Sequence, residues 1–285
     1  MDNSEQKSGN VSDIIKLLNK ANETFVYEVY VPSLKKNVMF RQLNTSQQKR
    51  LIKAIIDSPA YNTEFIFTLK KIIEENCAEK VDINEFTILD KMIIAIKMRA
   101  NSIDNMLELT FELPKEKDQK ESTKIVRTIN LNDLVELKLQ TIAIEPITIV
   151  DENAIYTLNC SLPTIYDEYK LEDELRKSVT SIEIKNENEL RTTIGEVFTN
   201  ELVKYIKKIT LKNDDKVIEI DLKSVDFGDR LQIIEKLPSH VTKKVIDYIS
   251  TVQKEFDKIL LFKDKINGKD FEQRLKIDAS FFTRF

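Results

Sequence analysis

The sequence predicts an α+β fold, and three observations predict it. Apolar and polar residues alternate in short runs, at Phe25, Tyr27, Val29 and Val31 and again at Leu107, Leu109, Phe111 and Leu113, the two-residue period of a strand with one buried face. Elsewhere the apolar spacing changes to three and four, as at Leu51, Ile52, Ile55 and Ile56 and at Val241, Val245, Tyr248, Val252, Phe256 and Ile259, the period of an amphipathic helix. These elements come in blocks rather than in βαβ alternation. The blocks are an N-terminal β-hairpin plus helices, an antiparallel β-rich middle, and a C-terminal helix, hairpin and long helix.

The blocks divide the chain into a flexible N-terminal arm (1–24), a hairpin plus helical region (25–105), a β-rich middle region (106–182) and a C-terminal α/β region (183–285). Residues 1–10 are polar, and Val11 to Ala21 sets Ile14, Ile15, Leu17 and Leu18 on one side of a short helix that docks on the body or on a partner. The hairpin turns at Pro32 to Asn37 and returns over Val38 to Leu43. Thr45 with Gln48 has the form of a capping box, Asp57-Ser58-Pro59 stops that helix, and Phe65, Leu69, Ile72 and Ile73 form the next. Asp82 to Glu85 and Thr87 to Asp90 are two candidate boxes for a third helix, which carries Ile93, Ile94, Ile96 and Met98.

Beyond the helices, Ile125, Arg127, Ile129 and Leu131 make a second strand opposite the Leu107 to Leu113 run, and Val135, Leu137 and Leu139 suit either strand or helix. Ile147 to Val150 and Ala154 to Cys160 are further strands, and Thr164 to Lys177 is an acidic helix. Leu190 to Ile206 has helical spacing. Ile209 and Leu211 pair across Asn213 to Lys216 with Ile218, Ile220 and Leu222. The long helix after Pro238-Ser239 is expected to run to Asn267-Gly268, where a left-handed residue stops it.

Composition narrows the function classes. Apolar residues make up 41% of the chain, enough for a substantial core, and 44 basic residues are interspersed with 48 acidic ones for a net charge of -4. The basic pairs Lys35-Lys36, Lys70-Lys71, Lys207-Lys208 and Lys243-Lys244 have acids nearby and no interleaved aromatic platform, which argues against nucleic-acid binding. Cys77 and Cys160 stand far apart without a CxxC partner, as in a reduced cytosolic protein. No secretory signal opens the chain, and the longest pure apolar run, Met92 to Ile96, is far short of a membrane span. Asn-x-Ser/Thr triplets at Asn10, Asn22, Asn44 and Asn159 are then chance matches.

No catalytic constellation emerges. His240 has no evident acid-base partner or nucleophile and reads as a surface residue. Asp82 and Asn84 imitate the start of a calcium loop, but Phe86 occupies the third ligand position and the turn glycine is missing. Four scattered glycines assemble no phosphate-cradling loop, so no cofactor is expected. The acids Asp167, Glu168, Glu172, Asp173 and Glu174 offer paired carboxylates for hydrolysis, or more simply a solvated helix face with charges that suit its N-terminal dipole. The aromatic tail has two readings. Phe281, Phe282 and Phe285 pack on the body, or they dock into a partner and are the candidate partner-binding residues.

The segments VPSLKKNVMFRQLNTSQQKRLIKAI (Val31 to Ile55), INEFTILDKMIIAIKMRANSI (Ile83 to Ile103), LPSHVTKKVIDYI and IDASFF (Ile277 to Phe282), in that order, resemble the baseplate hub family of T-even-type contractile-tailed phages. The resemblance implies a non-enzymatic baseplate hub subunit or tail assembly chaperone that helps build the hub around the tape-measure protein. Its partners would be other phage tail or baseplate hub proteins, with no nucleic acid or membrane. Its place would be the cytoplasm of the infected host cell and the virion tail baseplate. No ligand residues come with it. The rival classes are a nucleic-acid-binding accessory protein and a small enzyme of unrecognised type.

Overall fold

The computed structural model describes residues 10–57, 63–112, 124–151, 155–179, 199, 201–213, 216–266 and 268–283. It is a mixed α+β fold with two hydrophobic clusters joined by one long helix. The first block follows the sequence closely. Helix α1 (Val11–Thr24) leads into the antiparallel hairpin β1 (Val26–Val31) and β2 (Lys36–Arg41), with Val29 opposite Val38. Lys35 takes a left-handed φ of 52° in the turn. Helices α2 (Thr45–Asp57), α3 (Thr63–Asn76) and α4 (Ile88–Ser102) then cover the hairpin's buried face, where Val29, Val31, Val38 and Phe40 meet Leu51, Ile72, Ile73 and Ile93.

The caps are where the local sequence acts. The box expected at Thr45 and Gln48 forms one residue earlier: Gln47 N–H donates to Asn44 Oδ1 at 2.9 Å, and Asn44 N–H donates to Gln47 Oε1 at 3.1 Å. Asn44 wins because its carbonyl already accepts the first helical bond, from Gln48 N–H. Gln48 is thereby released for a distant contact. Of the two boxes proposed before the third helix, one forms as a reciprocal pair. Asp82 caps a single 3-10 turn (Ile83–Glu85), while Thr87 and Asp90 make the reciprocal box of α4. Asp90 is fully buried and also accepts a bond from Ser33 N–H at 3.1 Å, which pins the hairpin turn to the start of α4.

Strands β3 (Met106–Glu112) and β4 (Lys124–Asn130) pair antiparallel, with Leu107 opposite Ile129. Asn130 then caps helix α5 (Leu131–Leu139), so Leu131 opens a helix instead of ending a strand and Val135 is helical. A four-stranded antiparallel sheet follows in the order β5 (Ile147–Val150), β6 (Tyr156–Cys160), β7 (Ile206–Asn213), β8 (Lys216–Asp221). Helix α6 (Ile165–Val179) lies between β6 and β7 in the chain, and Ile206, expected at the end of a helix, starts β7. Most of the expected 190–206 helix lies outside the described residues, although 201–205 are helical.

Across the sheet, Ile149, Leu158, Ile209 and Ile220 form one register row. The second cluster unites Ile149, Leu158 and Ile209 from this row with Val241, Val245, Tyr248 and Val252 of helix α8 (Ser239–Leu260), which a short helix α7 (Phe227–Glu235) precedes. Over its 22 residues α8 leaves that cluster and enters the first, where Ile259 and Leu260 are buried, and Phe256 packs against both. The helix ends at Leu260, seven residues before Asn267. Gly268, at φ 77°, lies in the hairpin turn between β9 (Leu261–Ile266) and β10 (Lys269–Arg274); Asn267 lies outside the described residues. The alternating run from Leu261 onward, not the glycine, ends the helix.

Candidate functional site

The acidic helix is not a solvated face. Glu168 pairs with Lys91 of α4 and Asp167 with Lys207 of β7, and each of these side chains is at most about one-fifth exposed. Glu172 lies 3.8 Å from Lys204 and accepts a bond from Thr63 Oγ1 at 3.1 Å. Helix α6 is thus a strut between the two clusters, with Asp167, Glu168 and Glu172 as the connectors, while Asp173 pairs with Lys177 within the helix. Their environments differ. Burial pushes Asp167 up, but Lys207 beside it and Thr164 N–H more than offset this and hold its carboxyl below the usual range. At Glu172 burial outweighs Lys204 and the pKa rises. Thr164 and Asp167 also form the reciprocal cap of α6.

His240 has a partner after all. Its Nε2 sits 2.6 Å from Oδ1 of Asp151, a carboxylate almost completely buried beside β5 and 89 residues away in the chain. The pair joins the end of β5 to the first turn of α8, and Lys244 reinforces it by donating to the Val150 carbonyl at 3.1 Å. A bridge between a strand and the start of a helix is the geometry of a clasp. The cysteines are both free. Burial pushes the Cys160 thiol up to about 12 and also raises Cys77, which leaves little thiolate at neutral pH. Among the described residues no three His, Cys, Asp or Glu side chains are grouped as metal ligands.

A concavity of about 790 Å³ opens between the hairpin turn at Pro32 and Ser33, the start of α4 and the sheet. Several of its polar groups are already engaged, although the Tyr248 hydroxyl that lines it is buried without a hydrogen-bond partner among the described residues. Thr87 Oγ1 donates to Asp90, Thr164 Oγ1 accepts from Asp167 N–H, Lys207 pairs with Asp167 and Lys208 with Glu219. Burial pushes the Tyr248 phenol up to about 12, so it is no base at neutral pH. Other basic pairs are neutralised similarly, Lys36 by Glu79 and Lys70 by Glu74. Among the described residues no helix is long and apolar enough to cross a membrane.

The two ends of the described chain present opposite faces. Phe281 and Phe282, on a 3-10 turn (Ala279–Phe282), are 2% and 0% exposed. They meet edge to face at 5.2 Å, Phe282 faces Phe65 at 6.3 Å, and the Arg99 guanidinium lies 5.4 Å from the Phe281 ring centre. Gln48 Nε2 donates to the Phe282 carbonyl at 2.8 Å. A partner contact through these two rings would first require pulling the segment out of the core; Phe285 lies outside the described residues. At the other end, none of the 14 residues of α1 is buried, and Val11, Ile14, Ile15, Leu17 and Leu18 are exposed. Phe25, Val26, Tyr30 and Leu34 continue the exposed apolar series into the hairpin.

With that geometry in view, comparison with known families is decisive. The family model for T4 bacteriophage base plate protein matches residues 23–282, nearly the whole chain. The protein belongs to this family. The base plate match spans both clusters and ends at Phe282, which agrees with a body that is one packed unit from β1 to the buried aromatic turn. It begins at residue 23, so almost all of α1 precedes it. Neither the comparison with curated proteins nor that with solved structures returns a match. As a T4-type base plate protein, the chain is made in the infected host cell, belongs to the virion tail, and interacts with other tail or base plate proteins.

Proposed function

We propose that this base plate protein is a non-enzymatic hub subunit or hub assembly chaperone, acting through protein-protein contacts during tail morphogenesis. The observation that carries the reading is where apolar surface lies. Half of the exposed large apolar side chains among the described residues fall between Val11 and Leu34, on α1 and on the hairpin's outer side. Scattered exposed apolar residues need no explanation, but a concentration in one short stretch marks a contact surface. The partners are hub proteins and the tape-measure protein, and assembly takes place in the host cytoplasm. The acids of α6 tie the two clusters together, and His240 with Asp151 ties β5 to α8 within the second.

The test is affinity capture of the tagged chain from infected cells. Hub and tape-measure proteins are expected in the capture, and Tyr30→Asp/Leu34→Asp should lose them while melting like the wild type. Recovery of the chain alone would overturn the reading. Capture that depends on nuclease-sensitive material would favour a nucleic-acid accessory role. A stoichiometric copy number in purified tails would select hub subunit, and a substoichiometric one chaperone.

A further inference from the structure

Helix α1 carries an apolar seam with coiled-coil spacing. Val11, Ile14, Leu18 and Ala21 follow at intervals of three, four and three, with Ile15 and Leu17 on its flanks. The exposures are 70% for Val11, 49% for Ile14, 52% for Ile15, 67% for Leu17 and 58% for Leu18. A helix of this length is marginal in water by itself because the nucleating turn is costly. Such a face, left in solvent, lacks a partner.

We propose that the partner is α1 of a second copy of this chain, packed antiparallel about a two-fold axis. The proposal rests on the reading of the protein as an assembly component that works through contacts. An isologous contact needs a surface complementary to itself, and the seam is. In the register that sets Val11 of one helix against Ala21 of the other, Ile14 meets Leu18 and Leu18 meets Ile14. Every seam residue then has an apolar mate, with large against small at both ends. On the flanks Ile15 approaches its own copy, and so does Leu17. The charged residues Asp13, Lys16, Lys20 and Glu23 all lie away from the seam, and Asp13 and Lys16 pair with each other at 4.0 Å. No like charges meet across the two-fold axis. Nor does any charged flank select a different helix, the usual device for hetero-pairing.

The area sets the strength. Closing the seam over the five large apolar residues removes at most on the order of 1,000 Å² in all, the lower end for a specific interface. The expected dimer is weak and concentration-dependent, with dissociation in the micromolar range.

Sedimentation velocity on the full chain, from roughly 1 to 100 μM, tests this directly. The wild type should move from monomer to dimer across that range. Ile14→Glu/Leu18→Glu should stay monomeric throughout and keep the wild-type melting temperature, since neither side chain is buried against the body. A wild type that is monomeric at every concentration overturns the proposal, as does a double variant that still dimerises. Orientation is read by oxidation. Copies with Ile14→Cys mixed with copies carrying Leu18→Cys should crosslink more than either variant alone, with the wild-type chain and its own cysteines as control. Equal crosslinking by each variant alone overturns the antiparallel register. A monomeric wild type that still captures tail proteins removes the pairing and leaves the assembly role standing.

Discussion

The two ends of the described chain make an instructive pair. Both α1 and the Ala279–Phe282 turn concentrate large apolar side chains where chain ordering is costly, yet one end shows them to solvent and the other hides them completely. The difference lies in the body. Between α2, α3 and α4 there is room for two phenyl rings, with Phe65 and Arg99 to face them and Gln48 to take the backbone carbonyl. Helix α1 meets no such recess; its contacts run along β2, and the seam points elsewhere. Apolar residues at a terminus announce a need for burial without saying where it is met.

Substitutions at the two ends should therefore have very unequal consequences. The largest effect is expected at Phe282→Ala, which leaves a cavity beside Phe65 and should cost about 3–5 kcal/mol in denaturant unfolding. A loss under about 1 kcal/mol would mean that the turn packs more loosely than its burial indicates. Next is the α6 strut. Asp167→Asn breaks a mostly buried pair with Lys207 and should cost about 2 kcal/mol at pH 7. Because the folded carboxyl sits below its usual value, this stabilisation is present at neutral pH and is lost as the pH falls through that lowered value. The melting temperatures of the two proteins should accordingly converge as the pH falls below about 4; a gap that persists there would show that the charge is not what holds the strut.

Smaller again, Asn44→Ala removes the cap of α2 and should cost about 1 kcal/mol, whereas Thr45→Ala should cost much less. Equal effects would put the helix start back at Thr45. At the bottom of the scale, deleting residues 1–21 should leave the melting temperature of the dilute monomer unchanged, because that part of α1 adds nothing to either cluster. A clear drop would mean that the helix packs on the body in solution.

What the sequence disclosed and what it withheld follow the range of the interaction. The first hairpin, the helices over Leu51, Leu69 and Ile93, and the Thr87 to Asp90 box were legible because period and cap chemistry act within a few residues. Asn44 was missed by one position, since Asn44-Thr45-Ser46 offers three capping side chains in a row. The second C-terminal hairpin carries its signal in Asn267-Gly268, the strongest short-range hairpin dipeptide, but the same two residues also suit a helix stop. The short helix α7 went unread, although Asp226 and Asp229 favour its start. The acids of α6 could not be resolved from sequence, because Lys91 lies 77 residues from Glu168 and Lys207 lies 40 from Asp167. The same holds for His240 and Asp151.

The bond from Gln48 to the Phe282 carbonyl spans 234 residues. It also fixes an order of events during synthesis. Helices α2, α3 and α4 leave the ribosome early, at about 5–20 residues per second, but the recess they form stays unfilled until residue 282 has followed them out. The first cluster is therefore sealed only once residue 282 has emerged, and a chain broken off earlier exposes an open apolar socket to the proteases of its host. Nascent chains arrested short of residue 279 should remain sensitive to protease across α2 to α4, and resistance should appear only when both phenyl rings have emerged.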